Sequence, residues 1–268
     1  MELQQVGLNL YTVRDFLKDT KSTIKTLQKI REIGYEAIEL CSVSDTDDNE
    51  LVRILDGEGL FCCGTHEAPH DILHEPRRIA ERLQKLGCLY AAYPFPEGVD
   101  FTSFDDLTGL ARNLDRAGSI LVEEGCRLLY HNHNIEFQRC QGEIVLEYLF
   151  DNTDPSHVLA EPDTYWVQNG GGDPLEWCRK LKNRMPILHM KDYVVSKNND
   201  ESQPGWEPTF AEIGSGNLNW KRIVSEAEAS GCQWYVVEQD ACQGDPFDSI
   251  TVSLDYIKNH LIPTTVID

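Results

Sequence analysis

Short apolar runs alternate with amphipathic helical patterns along the chain, and glycines mark the joins. Gly34 leads into Tyr-Glu-Ala-Ile-Glu-Leu, and Gly59 into Leu-Phe-Cys-Cys-Gly-Thr-His. Gly87 leads into Cys-Leu-Tyr-Ala-Ala-Tyr-Pro, Gly125 into Cys-Arg-Leu-Leu-Tyr-His, and Gly231 into Cys-Gln-Trp-Tyr-Val-Val-Glu. Glycine at these joins suits the left-handed residue that follows a helix. The apolar runs lack strict alternation, which is the mark of parallel strands covered on both faces. The segments before the glycines carry helical stripes. Ile24, Leu27, Ile30 and Ile33 share a face, as do Ile79, Leu83 and Leu86, and Leu107, Leu110, Leu114, Ala117 and Leu121 follow the 3.6 period. Asp173-Pro174 reads as an N-cap followed by proline in the first turn.

Strands at Val6 to Leu10, His157 to Ala160 and Pro186 to Met190 bring the count to eight strand–helix units. At about 33 residues per unit, the pattern predicts an α/β fold: a (β/α)8 barrel forming a single domain over residues 1–268. An open doubly wound sheet is the alternative, but no Gly-x-Gly-x-x-Gly follows the first strand. Gly170-Gly171-Gly172 reads as a loop before the Asp173 cap. From Lys191 to Leu218 the pattern dissolves, so a long loop 191–218 is expected after strand seven, placed to cover an active site.

In a barrel the carboxyl ends of the strands converge on one mouth. There the sequence places Glu39 on strand two, His66 on strand three and Tyr93 on strand four. Strand five ends in His131 and His133, strand six in Glu161 and Asp163, strand seven in His189 followed by Lys191 and Asp192, and strand eight in Glu238 followed by Asp240. Imidazoles and carboxylates aimed at one point repel or stay poorly paired unless a positive charge sits among them, and a divalent cation is the natural one. Each histidine also has a structural reading. His66 can be a hydrogen-bonded strand-end residue, His157 begins a strand at the wrong end, and His260 sits in the last helix.

Composition narrows the class. The net charge of −21 repels phosphate backbones, and no Lys/Arg cluster offsets it, which argues against nucleic acid as a partner. No apolar run has the length of a membrane helix, and the first residues lack a signal-peptide pattern, so a cytoplasmic location is expected. The nine cysteines are odd in number and irregularly spaced among apolar residues, as in reduced, packed thiols.

Six motifs in order carry a resemblance: Gly7-Leu8-Asn9-Leu10-Tyr11-Thr12-Val13-Arg14-Asp15, Tyr130-His131-Asn132-His133, Asp163-Thr164-Tyr165-Trp166, His189-Met190-Lys191-Asp192, Gly214-Ser215-Gly216-Asn217 and Val237-Glu238-Gln239-Asp240. Across almost the whole chain the sequence resembles the xylose-isomerase-like (β/α)8 superfamily, the sugar phosphate isomerases and epimerases, which also includes inosose dehydratases and endonuclease IV. The resemblance implies one divalent metal ion (Mn, Mg, Co or Zn) on Asp163, His189 and Glu238. His131 stands where the family has a carboxylate ligand. Tyr93 and Trp166 stand where the three-zinc endonucleases would have histidines, which argues against DNA repair.

The expected activity is isomerisation or epimerisation of a small sugar by proton transfer through a metal-stabilised enediolate. A lyase acting on a keto-sugar or keto-inositol is the alternative, and a non-catalytic metabolite-binding barrel is a third reading. The expected proton-moving and polarising groups are Glu238, His131, Glu136 and Lys191. Tyr11, His66, His133, Trp166 and Trp206 are the expected substrate contacts, with His131, Asp163, His189 and Glu238 as metal ligands. The expected partners are a small carbohydrate and, in a homodimer, a second copy of the chain.

Overall fold

A computed structural model describes residues 1–43, 46–197 and 205–262. Eight parallel strands form one sheet: β1 (Val6–Asn9), β2 (Ala37–Leu40), β3 (Phe61–His66), β4 (Tyr90–Tyr93), β5 (Arg127–His131), β6 (Val158–Glu161), β7 (Ile187–Met190) and β8 (Trp234–Val237). Their order is β6-β5-β4-β3-β2-β1-β8-β7. The sheet closes between β6 and β7 through a parallel bridge at Asp163 and His189, where the His189 N–H donates to the Pro162 carbonyl at 3.0 Å. This is the (β/α)8 barrel expected from the strand–helix alternation.

The glycine punctuation holds. Helix α1 (Thr20–Ile33) opens on Asp19, whose carboxylate accepts from the Ser22 N–H, and closes on Gly34 at φ 114°. A side chain strongly disfavours that backbone region, so glycine ends the helix and turns the chain into β2. Gly59, Gly87, Gly125 and Gly231 also have positive φ. The Asp173 cap is present too, its side chain accepting from the Leu175 N–H.

Two apolar layers hold the strands. The larger lies between barrel and helices and contains Leu8, Ile38, Leu128, Leu188 and Tyr235. The smaller fills the barrel interior from the alternate positions, with Ala37, Cys63, Tyr90, Ala92, Leu129, Ile187 and Val236. Strands buried on both faces need apolar residues at both parities, which is why their sequences do not alternate.

The segment after β7 departs from expectation. Instead of an irregular loop, Asp192–Lys197 and Trp206–Ala211 form an antiparallel hairpin, with Asp192 opposite Ala211 and Lys197 opposite Trp206. Tyr193, Val194, Val195 and Phe210 supply the aromatic and β-branched residues a strand favours. Residues 198–204, the rest of the expected polar run, lie outside the described residues. Asp192 ties the hairpin base down. Its carboxylate accepts from the N–H groups of Gly214 (3.1 Å), Gly216 (3.2 Å) and Leu218 (3.2 Å), and from the Trp220 indole (2.6 Å). A Cβ on Gly216 would lie 2.1 Å from Asp192 Oδ1, so the Gly-Ser-Gly-Asn motif is packed against this carboxylate. A second short hairpin, Arg139–Cys140 with Glu143–Ile144, was also not foreseen.

Candidate metal centre and substrate cavity

The strand ends converge as the sequence predicts. One ligand atom from each of His131, Asp163, His189 and Glu238 lies within 4.8 Å of the others, and all four residues are buried. Asp163 reaches the mouth because it caps the following helix, Thr164–Asn169, with one oxygen accepting from the Trp166 N–H at 2.9 Å. Its other oxygen, Oδ2, has no hydrogen-bond partner among the described residues and is ion-paired with Lys191 Nζ at 3.0 Å and, more distantly, with His189 Nδ1 at 4.0 Å.

His189 is held from both sides. Its Nδ1 lies 2.9 Å from Glu238 Oε2 and its Nε2 lies 2.7 Å from Glu39 Oε2. Asn9 Nδ2 donates to the same Glu39 oxygen at 2.7 Å. A carboxylate behind a ligating imidazole fixes its tautomer and ring direction. Room for Glu39 comes from Gly64 on β3, since a Cβ there would sit 2.7 Å from Glu39 Oε1. A glycine inside a strand is a sign of such close approach.

Without a cation, protons carry the compensating charge. Burial pushes the His189 imidazole down, but the Glu161 and Glu39 carboxylates outweigh it and hold it well above its usual range. Lys191 is buried against Asp163, Glu238 (2.8 Å) and Asp240 (3.1 Å), and these carboxylates outweigh burial to raise its pKa. Burial raises Asp163 to about 6, with Lys191 opposing the shift. Burial also disfavours ionised Glu238, but the Lys191 ammonium and His189 more than offset this and keep the carboxyl well below its usual range. Burial and the neighbouring His189 and His66 lower His131.

Two imidazoles and two carboxylates, with Asp163 Oδ2 making no hydrogen bond among the described residues, fit a divalent cation. A cation here would displace the proton from His189 and supply the positive charge that this crowd of acids requires.

Above the cluster opens a cavity of about 420 Å³, in the range of small-molecule sites. Tyr11, Trp166, Phe95 and Phe210 give it aromatic walls, while His66, His133, Glu238 and Asp240 supply polar groups. No arginine or lysine is among its described lining residues. Arg14 is close by, but its guanidinium donates to the carbonyls of Tyr11 (2.8 Å) and Asp240 (2.9 Å).

The expected substrate contacts Tyr11, His66, His133 and Trp166 all line this cavity; Trp206 does not. Trp206 sits at the far end of the hairpin with 73% of its surface exposed, and Phe210 of the same strand faces the cavity instead. The two residues share a strand face, but four positions separate them by about 13 Å.

Glu136 is also misplaced by the sequence reading. Its oxygens accept from the Tyr130 hydroxyl (2.9 Å) and the His133 N–H (2.9 Å), behind β5 in the barrel–helix layer and away from the cavity. Lys191 does not line the cavity either, since three carboxylates pin its ammonium beneath it. Sequence reasoning missed Phe95, Cys41 and Phe210; it placed Glu39 and Glu161 at the mouth but gave neither a role. The glycine inside β3 was the available signal for Glu39.

A family model for the xylose isomerase-like TIM barrel matches residues 27–260. An inosose dehydratase of Geobacillus kaustophilus is 25% identical over 275 residues, covering 90% of this chain and 88% of that protein. The inosose dehydratase of Geobacillus thermodenitrificans is 29% identical over 159 residues, 56% of this chain. The chain spans 53% of that relative's length and 62% of the Lacticaseibacillus casei protein of the same name. Among solved structures, a sugar phosphate isomerase/epimerase from Parabacteroides distasonis superimposes with a TM-score of 0.81 at 23% identity, over 96% of this chain and 98% of that one. A xylose isomerase-like barrel protein from Mycobacterium smegmatis, in complex with magnesium, gives a TM-score of 0.73 at 14% identity, over 95% of each chain. The chain belongs to the xylose isomerase-like TIM barrel family.

Proposed function

We propose that this protein is a metal-dependent lyase that removes water from an uncharged keto-cyclitol or keto-sugar. The observation that carries the reading is the ligand-competent cluster of His131, Asp163, His189 and Glu238 under an aromatic-walled cavity with no arginine or lysine among its described lining residues. A sugar phosphate or carboxylate would meet Glu238 and Asp240 with no arginine or lysine in the lining to pair with it. A neutral polyhydroxy ring can lay its apolar face on Trp166 and Tyr11 and turn its hydroxyls to the acids.

A bound divalent cation would polarise the ketone and its neighbouring hydroxyl, acidifying the C–H between carbonyl and leaving group. The protein's own groups then divide the work. Glu238, ionised and held by Lys191 and His189, is better suited to ligation than to proton transfer. His133 lines the cavity, and burial, with Lys191 adding to it, holds its pKa at about 4. Its imidazole is therefore neutral near pH 7, and because it is the neutral imidazole in the lining next to His131 we assign it to take the proton, as a weak base acting on a C–H that a bound cation would acidify. The electron pair left on carbon then expels the β-hydroxyl, which leaves as water after taking up a proton.

Isomerisation or epimerisation shares the first step and differs only in returning the proton to carbon. The dehydratase relatives favour elimination, whereas the epimerase neighbours share the fold at low identity. Proton NMR of a keto-inositol and of a panel of ketoses incubated with the metal-loaded protein in D2O separates the outcomes. The expected result is loss of water and a conjugated product absorbing in the ultraviolet. An isomer of unchanged mass, apart from deuterium at one carbon, would overturn the lyase reading.

A further inference from the structure

A second set of ligand atoms converges beside the first. His66 Nε2 lies 2.9 Å from Glu161 Oε2 and 3.5 Å from Glu39 Oε2. His189 Nε2 lies 2.7 Å from Glu39 Oε2 and 3.5 Å from Glu161 Oε2. His131 Nδ1 lies 3.4 Å from Glu161 Oε2. Ligands around a tetrahedral cation with bonds of about 2.0–2.1 Å stand about 3.3 Å apart. The three distances from Glu161 Oε2 to His66, His131 and His189 lie near this spacing, and all four ligand atoms lie within 4.8 Å of one another. Two further observations support such a site. Among the described residues His131 Nδ1 and Glu161 Oε1 have no hydrogen-bond partner, although the two residues are only 2% and 0% exposed.

This donor set differs in kind from its neighbour. Three imidazoles and one carboxylate suit a borderline ion such as zinc, whereas two imidazoles and two carboxylates beside a lysine accept harder ions more readily. The sets share His131 and His189. His189 turns Nδ1 toward Glu238 and Nε2 toward Glu39 and Glu161. A neutral imidazole has a single ring lone pair to give, so ligation through Nε2 leaves the proton on Nδ1 and removes that nitrogen from the other site.

We propose that His66, His131, His189 and Glu161 form a second cation site, selective for zinc-class ions. We further propose that its occupation excludes a cation from the His131, Asp163, His189 and Glu238 site. Zinc is then an inhibitor that works by taking His189 away from the metal centre, and a hard cation such as manganese fills that centre only while the second site is free. The inhibitory consequence rests on the proposed catalytic metal centre, but the existence of the second site does not.

The test uses the full chain, freed of metal by dialysis against a chelator. Cobalt(II) reports tetrahedral, imidazole-rich coordination by its visible absorption, zinc affinity is read by competition with a chromophoric chelator, and manganese(II) is followed by electron paramagnetic resonance. The wild type should give the tetrahedral cobalt spectrum, and one equivalent of zinc should release bound manganese. In His66→Gln the cobalt spectrum should be lost and zinc affinity should fall roughly tenfold or more, with manganese binding retained. Glu161→Gln should do the same and serves if His66→Gln does not fold, as judged by circular dichroism. Asp163→Asn should lose manganese and keep the cobalt spectrum.

Unchanged cobalt spectrum and zinc affinity in both His66→Gln and Glu161→Gln would overturn the second site. Simultaneous binding of manganese and zinc by the wild type would overturn the exclusion. Manganese binding unaffected by Asp163→Asn would instead count against the catalytic metal centre, leaving the cobalt result to stand by itself.

Discussion

The two ends of the barrel interior are built from the same strand faces and could hardly differ more. At the amino-terminal end the inward positions are Ala37, Cys63, Leu129, Ile187 and Val236, all buried and apolar. Two residues further along four of those five strands stand Glu39, His131, His189 and Glu238. Two residues span about 7 Å of strand and return to the same face. The interior therefore passes from a dry plug to a crowd of ionisable groups within a single step of the pleat. The lower layer fixes strand spacing and keeps water out from below. The upper layer bears the desolvation cost of charges that only mutual pairing, protons or a cation can offset.

Breaking the upper layer should have the largest effect. His131→Ala removes a ligand and should lower metal affinity by more than about 100-fold, with activity falling alongside, since even supporting contacts are worth 10–100-fold. His133, two residues on and facing the cavity, should behave differently. His133→Ala should keep the metal and reduce turnover by about 100-fold or more, the scale of a lost general base. Metal quantification after dialysis against a weak chelator, with kcat measured on the reloaded protein, separates the two. Full occupancy in His131→Ala with depletion in His133→Ala would invert the roles.

In the lower layer the same experiment should reverse its readouts. Ile187 is fully buried, and its Cδ1 packs beneath Gly64 and so under Glu39. Ile187→Ala should cost about 2–5 kcal/mol of stability from lost burial and the cavity left behind. Metal stoichiometry should be unchanged at temperatures where the variant stays folded. Denaturant unfolding followed by metal analysis checks both. A variant of wild-type stability that has lost its metal would show that the two layers are not separable.

This two-layer logic was legible in the sequence because it is written strand by strand: an apolar pair, then an acid or imidazole on the same face. What was not legible depends on how different strands meet. Glu39 and Glu161 were readable as residues of the mouth but not as partners of one imidazole, and only barrel closure brings both within 3.5 Å of His189 Nε2. Trp206 looked like a sugar platform because it is aromatic and lies near the mouth in sequence. The register of its hairpin carries it away and presents Phe210 instead. Lys191 was foreseen at the mouth, but its three carboxylate partners come from β8 and the bend after β6, so its immobilisation could not be read from its own segment. Glu136 was misread for a local reason. A turn of 3-10 helix, Ile135–Phe137, rolls its side chain behind β5 onto the Tyr130 hydroxyl.

Glu136 provides the smallest effect, and it tests whether ionisable groups outside the barrel interior behave differently from those within. Burial raises its pKa from the ordinary carboxylate value to about 7, although hydrogen bonds from the His133 N–H and the Tyr130 hydroxyl oppose the shift. Among the described residues no cationic side chain is a hydrogen-bond partner of Glu136, in contrast to Glu238, which pairs with Lys191. The folded state thus holds a proton that the unfolded chain releases near pH 4.5, and folding is favoured where both states are protonated. The contribution is complete below about pH 4.5 and is lost as pH rises through about 7, on the order of 3 kcal/mol at about 1.4 kcal/mol per unit. Glu136→Gln keeps the shape and removes the titration. Its stability relative to the wild type should therefore improve as pH is raised from 5 to 8, in metal-free protein followed by urea unfolding. The change should leave metal affinity nearly untouched, because Glu136 lies outside the ligand set. A difference between variant and wild type that stays flat with pH would mean that Glu136 is ionised throughout, held by its two donors as firmly as Glu238 is held by Lys191.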